Sequence, residues 1–346
     1  MKKICVVGAF DFTRQDTGGQ PVKTRELYDG LCRHYGADKI LYVETRQWKK
    51  HVFRMLWQLV RNVPRSDVII MLPAQNGVKV FSRLLQIVKK KKAKLFYDVI
   101  GGWLPTVAKE NPNLLPYLKK MDGIWVETSS MQRSLQELGL EQAIVLPNFK
   151  SLQPLQTSEL KAPAVSPCRL ATFSRVMEEK GITDAVEAIN AVNTQLARKA
   201  FTLDVYGPVA PQYAETFEKL QQQYGDFVTY KGVAKPEESV QILQDYYALL
   251  FPTKYYTEGI PGTIIDAYAA GVPVITALWL NHGDIFEEGV TGRGYAFGDT
   301  QALAELLCQL AQQPDQLVAL KPACLKKAQQ YMPEATMEKI SKLIGV

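Results

Sequence analysis

The stretch that runs from Phe251 to Val274 carries residue types that suit an anion next to sugar hydroxyls. It reads FPTKYYTEGIPGTIIDAYAAGVPV, with one acid before a Gly-Ile-Pro-Gly run and a second acid after it. Pro261 suits the first turn of a helix, and the backbone N–H groups of Gly259–Thr263 would then form an anion-binding helix start. Glu258 and Asp266 would accept hydrogen bonds from hydroxyl groups beside that positively polarised end. Two capping acids on a core helix, the alternative, would not explain the Gly-Ile-Pro-Gly run.

A pair of cations follows an apolar strand pattern at Leu170–Phe173. Arg175 and Lys180 lie five residues apart, between the end of that strand and the next helical segment. A guanidinium fork and an ammonium point charge placed this way can converge on a diphosphate. The alternative is a solvated surface pair that Glu178 and Glu179 balance.

Near the N-terminus, Gly18 and Gly19 lie between the first strand pattern and a helix-like segment. Two glycines allow backbone N–H groups to approach an anion, although a flexible turn has the same composition. The chain has no G-x-G-x-x-G there, which removes the main support for an NAD-dependent oxidoreductase. No Asp-x-Asp follows a strand, and the three histidines match no metal or triad spacing. We therefore predict no metal site and no cofactor. The charge of a bound diphosphate would instead be neutralised by cationic side chains and the N-terminus of a helix.

Strand and helix patterns alternate along the whole chain, which predicts parallel sheets with helices on both faces. The alternation stops at Phe149–Pro167, where prolines and polar residues indicate a linker, and then resumes. Two α/β halves joined in this way predict a ligand cleft at their junction, at the carboxyl ends of the strands.

These motifs, in this order, resemble family 4 of the retaining glycosyltransferases (glycosyl transferases group 1), which have the GT-B fold. The resemblance rests first on Arg175 with Lys180, on Glu258 with an acid eight positions later, and on the Ala-Tyr-Ala-Ala-Gly-Val-Pro-Val segment. Weaker similarities cover nearly the whole chain, and their order makes them specific together. They are Gly18-Gly19, Val126–Met131, Leu146–Asn148, Val205–Pro208, Tyr230–Val233 and Glu288–Gly292.

The resemblance implies two Rossmann-like domains that face each other across a cleft, with a C-terminal helix that crosses back to the N-terminal domain. The implied boundaries are 1–155 for an acceptor-binding domain, 156–330 for a nucleotide-sugar-binding domain, and 331–346 for the returning helix after Pro333.

The resemblance also implies a role for each matching residue. Arg175 and Lys180 would bind the donor diphosphate and stabilise the leaving nucleotide, with Gly19 touching the phosphate from the other domain. The remaining donor-site residues are Gly207 and Val233 near the nucleobase, Asp266 at the ribose, and Glu258 with Gly259, Ile260, Pro261 and Gly262 at the transferred sugar. Thr263, at the helix start, completes the donor site.

Two positions depart from the family pattern. The second acid is usually Glu and here is Asp266, so its ribose contact must be closer or bridged by water. The family often has a histidine near the end of the fourth strand, where this chain has Asp98. We expect Asp98 to act as a catalytic hydrogen-bond acceptor for the sugar or the acceptor hydroxyl, although a strand-end acid that caps the next turn explains it nearly as well.

The net charge of +6 conceals a strong asymmetry. Residues 46–94 carry 13 Lys and Arg against the single acid Asp67, a local net of +12, which leaves −6 for the rest. Phe53, Leu56, Trp57 and Val60 share one face of a predicted helix there, and basic residues border it. This pattern favours contact with an anionic membrane surface. A packing helix with a solvated basic face is the alternative, and nucleic acid has no supporting motif.

The five scattered cysteines have no metal or redox spacing, and no apolar stretch reaches membrane-spanning length, so we expect a cytoplasmic chain on the inner face of the cell membrane. Together these observations predict a metal-independent retaining hexosyltransferase. It would move a sugar from a UDP-sugar to a lipid-linked saccharide in bacterial surface polysaccharide biosynthesis. The alternatives are a nucleotide-sugar epimerase on the same fold and a catalytically silent homologue that binds partners.

Overall fold

The computed structural model describes residues 2–12 and 19–345, which form two compact units. The first unit comprises Met1–Ser151 and Tyr331–Val346, and the second comprises Leu152–Gln330. Each unit contains one six-stranded parallel sheet with helices around it, which confirms the α/β class predicted from the alternating patterns.

The first unit is built on a sheet with the strand order β2-β1-β3-β4-β5-β6. Its central strands are short apolar runs with both faces buried, as expected for a sheet that helices cover on both sides. The strands are β1 (Ile4–Gly8), β2 (Ile40–Glu44), β3 (Val68–Met71), β4 (Lys94–Asp98), β5 (Gly123–Val126) and β6 (Ala143–Val145). The helices are α1 (Gly19–Tyr35), α2 (Val52–Asn62), α3 (Gln75–Val88), α4 (Leu104–Glu110), α5 (Leu115–Leu118) and α6 (Ser129–Glu137).

The second unit has the strand order β12-β11-β10-β7-β8-β9. Its strands are β7 (Cys168–Phe173), β8 (Phe201–Tyr206), β9 (Val228–Gly232), β10 (Ala248–Phe251), β11 (Val274–Ala277) and β12 (Gly292–Tyr295). Its helices are α7 (Ile182–Gln195), α8 (Ala214–Tyr224), α9 (Ser239–Leu243), α10 (Gly262–Ala269), α11 (Thr300–Gln312), α12 (Asp315–Val318) and α13 (Lys321–Ala328).

The direction of the chain across this second sheet reverses between β7 and β10. From β7 the chain proceeds to β8 and β9 on one side, and β10 then returns to pair with β7 on the other. The loops that leave β7 and β10 therefore diverge at the carboxyl edge. Such a switch point opens a crevice where ligands of α/β proteins bind.

The last helix, α14 (Pro333–Ile344), belongs to the first unit. Its Met337 and Ile340 are buried in the same core as Leu27 and Leu31 of α1. A Cβ added to Gly30 of α1 would meet the Met337 side chain, so this glycine allows the two helices to approach closely. The opposite face of the sheet is covered by α2 to α6, which share a separate core.

Candidate functional site

An ion pair joins the two loops that diverge at the switch point of the second unit. The Lys180 ammonium donates a hydrogen bond of 2.6 Å to Oε2 of Glu258, and both side chains remain partly exposed. Lys180 follows β7 and Glu258 follows β10, which are neighbours in the sheet. The structure thus brings together a cation and a carboxylate that the sequence singled out separately.

Aromatic rings and a glycine fix the position of Lys180. Its Nζ lies 4.9 Å from the ring centre of Tyr255 and 5.8 Å from that of Phe251, within cation–π range. Burial raises the pKa of Tyr255, as do the charges of Glu179 and Glu258, so the hydroxyl remains protonated at neutral pH. The next residue, Gly181, has a φ of 70°, and a Cβ there would overlap the Pro252 carbonyl oxygen. Only glycine allows the two loops to approach this closely.

Glu258 is held by residues that the motif analysis did not identify. The Trp279 indole N–H donates to its carbonyl oxygen at 3.1 Å, and the Asn281 amide donates to the same oxygen at 2.6 Å. The Thr253 hydroxyl donates to its Oε2 at 3.3 Å. Trp279 and Asn281 come just after β11, the other neighbour of β10, so strand order would have pointed to them.

The Gly-Ile-Pro-Gly run leads directly into α10, which begins at Gly262 with Pro261 in extended conformation before it. Gly259, Ile260 and Pro261 are buried, and Gly262 and Thr263 are half-buried. The first N–H groups of a helix have no partner within it. The buried Thr263 Oγ1 also has no hydrogen-bond partner among residues 2–12 and 19–345. This helix start therefore offers hydrogen-bonding groups, beside Glu258, that its own fold leaves unused.

The cation Arg175 is exposed at the end of β7. Within the described part of the chain, its guanidinium forms no ion pair, whereas Lys254 is bound to Glu178 at 2.7 Å and to Asp184 at 2.8 Å. Glu178 and Asp184 are thus already neutralised by Lys254. Arg175 remains available to an anionic ligand.

The turns at Gly207 and Gly232, which the resemblance places near the nucleobase of the donor, lie side by side. The N–H of Gly207 donates to the carbonyl oxygen of Gly232 at 2.9 Å, and the Tyr230 hydroxyl donates to the Gly207 carbonyl. Gly207 has a φ of 133°, and a Cβ there would overlap the Ser174 carbonyl oxygen. Val233 directly follows β9, the edge strand of the second sheet, and is 56% exposed.

Asp266 lies inside α10 and is only 3% exposed. Its Oδ1 accepts a hydrogen bond of 2.9 Å from Ser239, the first residue of α9. Ser239 was not predicted, because a lone serine after an acidic turn carries no distinctive pattern. The contact joins α9 to α10 beneath the site.

In the first unit, Asp98 is completely buried rather than open to a ligand. Its Oδ1 lies 3.0 Å from the ammonium of Lys23, which also donates to Glu127 at 3.1 Å and to the Val99 carbonyl oxygen at 3.0 Å. Asp98 ends β4, Glu127 follows β5 and Lys23 lies in α1, so the three form a charge cluster at the carboxyl edge of this sheet. We call this set the Lys23 cluster.

The interpretation of Asp98 as a direct acceptor for a sugar hydroxyl is therefore corrected, because its carboxylate has no exposed surface. Burial raises the pKa of Asp98, Lys23 opposes this and Glu127 adds to it, so that the pKa lies above the usual value. Burial lowers the pKa of Lys23, but the attraction of both carboxylates outweighs it, and the net shift is upward.

Of the predicted glycine pair, Gly18 lies outside the described residues. Gly19 is exposed at the first position of α1, and a Cβ there would meet no atom within 4 Å. No set of three or more His, Cys, Asp or Glu side chains in the described ranges is placed to hold a metal ion. Among the same residues, no helix combines the length and apolar character needed to cross a membrane.

Comparison with known proteins supports the resemblance read from the motifs. Residues 167–313 match the family model described as "Glycosyl transferases group 1". This segment contains Arg175, Lys180, Glu258 and Asp266. The predicted resemblance to group 1 glycosyl transferases is therefore confirmed in the second unit.

Curated relatives match parts of the chain. The amylovoran biosynthesis glycosyltransferase AmsK of Erwinia amylovora is 29% identical over 150 residues, which is 42% of this chain and 36% of AmsK. The putative colanic acid biosynthesis glycosyltransferase WcaL of Escherichia coli is 24% identical over 255 residues, 72% of this chain and 62% of WcaL. The chain thus spans between about a third and two thirds of the length of these relatives.

Solved structures match over the full length. HepE of Anabaena in complex with UDP has a TM-score of 0.77 at 15% identity and covers 100% of both chains. Sucrose-phosphate synthase of Thermosynechococcus elongatus has a TM-score of 0.77 at 17% identity and covers 99% of this chain and 98% of its own. At this identity the likeness concerns the fold, and it confirms the predicted GT-B class.

Proposed function

We propose that the chain is a metal-independent retaining glycosyltransferase of family 4. It would transfer a hexose from a UDP-sugar to a saccharide acceptor, lipid-linked in this proposal, during bacterial surface polysaccharide biosynthesis. The observation that carries the proposal is the Lys180–Glu258 pair beside the start of α10 at the switch point of the second unit. The named activities of the curated relatives support the same reaction class.

The donor diphosphate would bind to positive groups that the fold already provides. An ammonium has three N–H donors, and Lys180 uses one of them for Glu258, which leaves others for phosphate oxygens. Arg175 adds a guanidinium fork that forms no ion pair among residues 2–12 and 19–345, and the N-terminus of α10 adds its dipole. These groups would stabilise the charge that develops on the leaving nucleotide.

Glu258 would bind hydroxyl groups of the transferred sugar. Its carbonyl oxygen accepts hydrogen bonds from Trp279 and Asn281, so its backbone is fixed while the carboxylate remains partly exposed. Preorganised acceptors of this kind orient a substrate without reorganisation during the reaction. The acceptor hydroxyl would attack the sugar on the face from which the nucleotide leaves, which retains the anomeric configuration.

The nucleoside would lie along the two glycine turns, with the base near Val233. The ribose contact of Asp266 stays a prediction. At 3% exposure its carboxylate offers only an edge to a ligand, and one oxygen is already bound to Ser239. In this proposal Asp98 makes no contact with the substrate. It holds the Lys23 ammonium in place.

A lipid-linked acceptor lies at a bilayer surface. The same proposal therefore places the chain in the cytoplasm, on the inner face of the cell membrane. Residues 46–94 carry the positive charge that would bind anionic lipids.

The test is a panel of UDP-sugars and other nucleotide sugars, with release of the nucleotide followed for each in the presence and absence of EDTA. We expect slow hydrolysis of one UDP-sugar, unchanged by EDTA, with an α-sugar product observed first by proton NMR when an α-linked donor is used. Glu258→Gln should lower turnover by about 100-fold or more.

Glu215→Gln is the matched control, because Glu215 also forms a lysine pair, at 2.7 Å, but lies on the exposed surface of α8. It should leave turnover unchanged. If no nucleotide sugar is hydrolysed and UDP causes no thermal shift, the transferase proposal is rejected in favour of a silent homologue. An inverted product would reject the assignment to family 4 alone.

A further inference from the structure

The helix α2 has its most apolar face turned to solvent. Phe53 is 90% exposed, Val60 63%, Trp57 59% and Leu56 37%. These four residues share one side of the helix, and we call them the α2 apolar face. A surface helix normally keeps its apolar residues on the buried side. The helix α2 buries Met55 and Leu59 in the core and leaves this second apolar face in solvent.

Polar contacts fix α2 in this orientation. The buried side of the helix carries Gln58, whose side-chain oxygen accepts a 3.0 Å hydrogen bond from the backbone N–H of Glu44 in β2. At the next turn, the Asn62 amide donates to the Tyr42 carbonyl oxygen at 2.8 Å. A rotation that buried the apolar face would break both bonds to the sheet edge. The exposure is therefore built into the unit.

Cations surround the apolar face on the same surface. They are all exposed and comprise Lys49, Lys50, Arg54, Arg61 and Arg65. The Arg61 guanidinium stacks at 4.8 Å on the Trp57 ring. A shallow depression of about 550 Å³ lies here, lined by Leu56, Trp57, Val60, Arg61 and Arg65. Apolar and cationic groups thus form one continuous surface.

The end of α3 repeats this combination on the same layer of helices. Ile87 is 80% exposed, and the cations of 89–92 follow it. Asp67, the only acid of the basic segment, is 3.6 Å from Lys90, and Arg46 is paired with Asp11 outside the segment. The segment still carries a large excess of positive charge. A protein partner would need a concave acidic surface with an apolar floor, whereas an anionic bilayer supplies negative charge above apolar chains everywhere.

We propose that α2 inserts its apolar face into the interfacial layer of an anionic lipid bilayer, while the flanking Lys and Arg side chains bind the lipid phosphates. An 11-residue helix is about 16 Å long, so it lies in the interface and does not span it. The inference rests on the proposed function only for the choice of a bilayer. Binding is measured without donor or acceptor, so its failure leaves the transferase proposal intact.

The experiment is co-sedimentation of the full chain with vesicles of phosphatidylcholine and phosphatidylglycerol in equal parts, compared with phosphatidylcholine alone. We expect strong binding to the mixed vesicles only. The double variant Phe53→Asp/Trp57→Asp should weaken it by more than about tenfold, because both residues are exposed and only their insertion is lost. Lys91→Gln/Lys92→Gln should weaken it by about fivefold per charge.

Matched controls separate insertion from general effects of charge and apolar surface. Val165→Asp removes an exposed apolar residue of the second unit, and Lys219→Gln/Lys235→Gln removes two of its cations. Both should bind as the parent chain does. Brominated lipid should quench tryptophan fluorescence in the parent chain and much less in Trp57→Phe.

Three results would overturn the inference. The first is the absence of binding to anionic vesicles. The second is unchanged binding of Phe53→Asp/Trp57→Asp, which would show an electrostatic surface without insertion. The third is a dimer in solution that this double variant converts to a monomer, since the apolar face would then be covered by a second copy of the chain.

Discussion

Lys180 and Glu258 are 78 residues apart in the chain and 2.6 Å apart in space. The pair links the loop after β7 to the loop after β10, the two neighbouring strands at which the chain reverses direction. The ammonium and the carboxylate therefore position each other before any ligand arrives.

Lys180→Met should weaken UDP binding without unfolding the second unit. We expect the dissociation constant to rise by about 10-fold to 100-fold, since a charge-assisted phosphate contact contributes about 1.5–3 kcal/mol. The unfolding midpoint should change little, because both partners of the pair are partly exposed. Calorimetric titration with UDP and urea unfolding measure the two effects.

Lys199→Met is the control for this prediction. It removes a pair of similar length, 2.8 Å to Asp226, from an exposed site. UDP affinity should be the same as in the parent chain. Equal losses of affinity in the two variants would contradict the assignment of Lys180 to the diphosphate.

Gly207→Ala should destabilise the second unit strongly. The residue has a φ of 133°, and the added methyl group would overlap the Ser174 carbonyl oxygen at the end of β7. Backbone strain of this kind costs about 1–3 kcal/mol before the overlap is counted. Gly283→Ala, where a Cβ meets nothing within 4 Å, should unfold at the parent temperature. Thermal unfolding of both variants decides this, and equal midpoints would refute the steric argument.

Much of the fold could be predicted because short apolar strands have a clear pattern. The strand pattern at Leu170–Phe173 lies within β7, which begins two residues earlier at Cys168. The strand β12 was missed by the strand pattern, since Gly-Arg-Gly-Tyr carries little β propensity. It forms because Val274 to Ala277 of β11 offer a parallel edge at which small residues are required. A Cβ on Gly292 would overlap the β11 backbone.

The candidate site was predictable only where chemistry was local in sequence. Lys180 and Glu258 were singled out by motif, but the anchoring of Glu258 by Trp279 and Asn281 depends on strand order. The burial of Asp98 was not predictable, because its counter-charge comes from Lys23, in a helix 75 residues earlier in the chain.

The Lys23 cluster leads to a pH-dependent prediction. Lys23→Met should lower the free energy of unfolding by about 3–5 kcal/mol at neutral pH, because two buried carboxylates lose the ammonium that they share. The loss of Lys23 raises the pKa of Asp98 further above its unfolded value. A carboxyl with a raised pKa in the folded state destabilises the fold as the pH rises through that pKa. The deficit should therefore be smaller at about pH 5 than at about pH 8.

Urea unfolding at both pH values tests this sign. The double variant Lys23→Met/Asp98→Asn should recover part of the loss at the higher pH, since it removes the charge of one of the two carboxylates. Lys79→Met, an exposed lysine of α3 bound to Asn111, should show little change at either pH. A deficit that grows on acidification would refute the role assigned to Asp98.

Lys321 is a buried cation whose removal should stabilise the second unit. The residue is 3% exposed, and its Nζ has no hydrogen-bond partner among residues 2–12 and 19–345. It is also the first residue of α13, where the helix dipole disfavours a positive charge. Burial lowers the pKa of Lys321, although nearby Asp245 opposes the shift. Lys321→Met should thus raise the free energy of unfolding by about 1–3 kcal/mol at neutral pH.

The advantage of Lys321→Met should also decline as the pH rises. A lysine with a lowered pKa in the folded state binds fewer protons there than in the unfolded state, so the parent chain gains stability as the pH approaches the unfolded pKa of 10.5. The methionine variant has no such gain, and the two stability curves should converge in alkali. Lys327→Met on the same helix loses a 2.6 Å pair with Glu287 and should be no more stable than the parent. Guanidinium unfolding of the parent chain, Lys321→Met and Lys327→Met from neutral pH upward measures the three stabilities. If the stability advantage of Lys321→Met grows in alkali, Lys321 is not held as a strained cation.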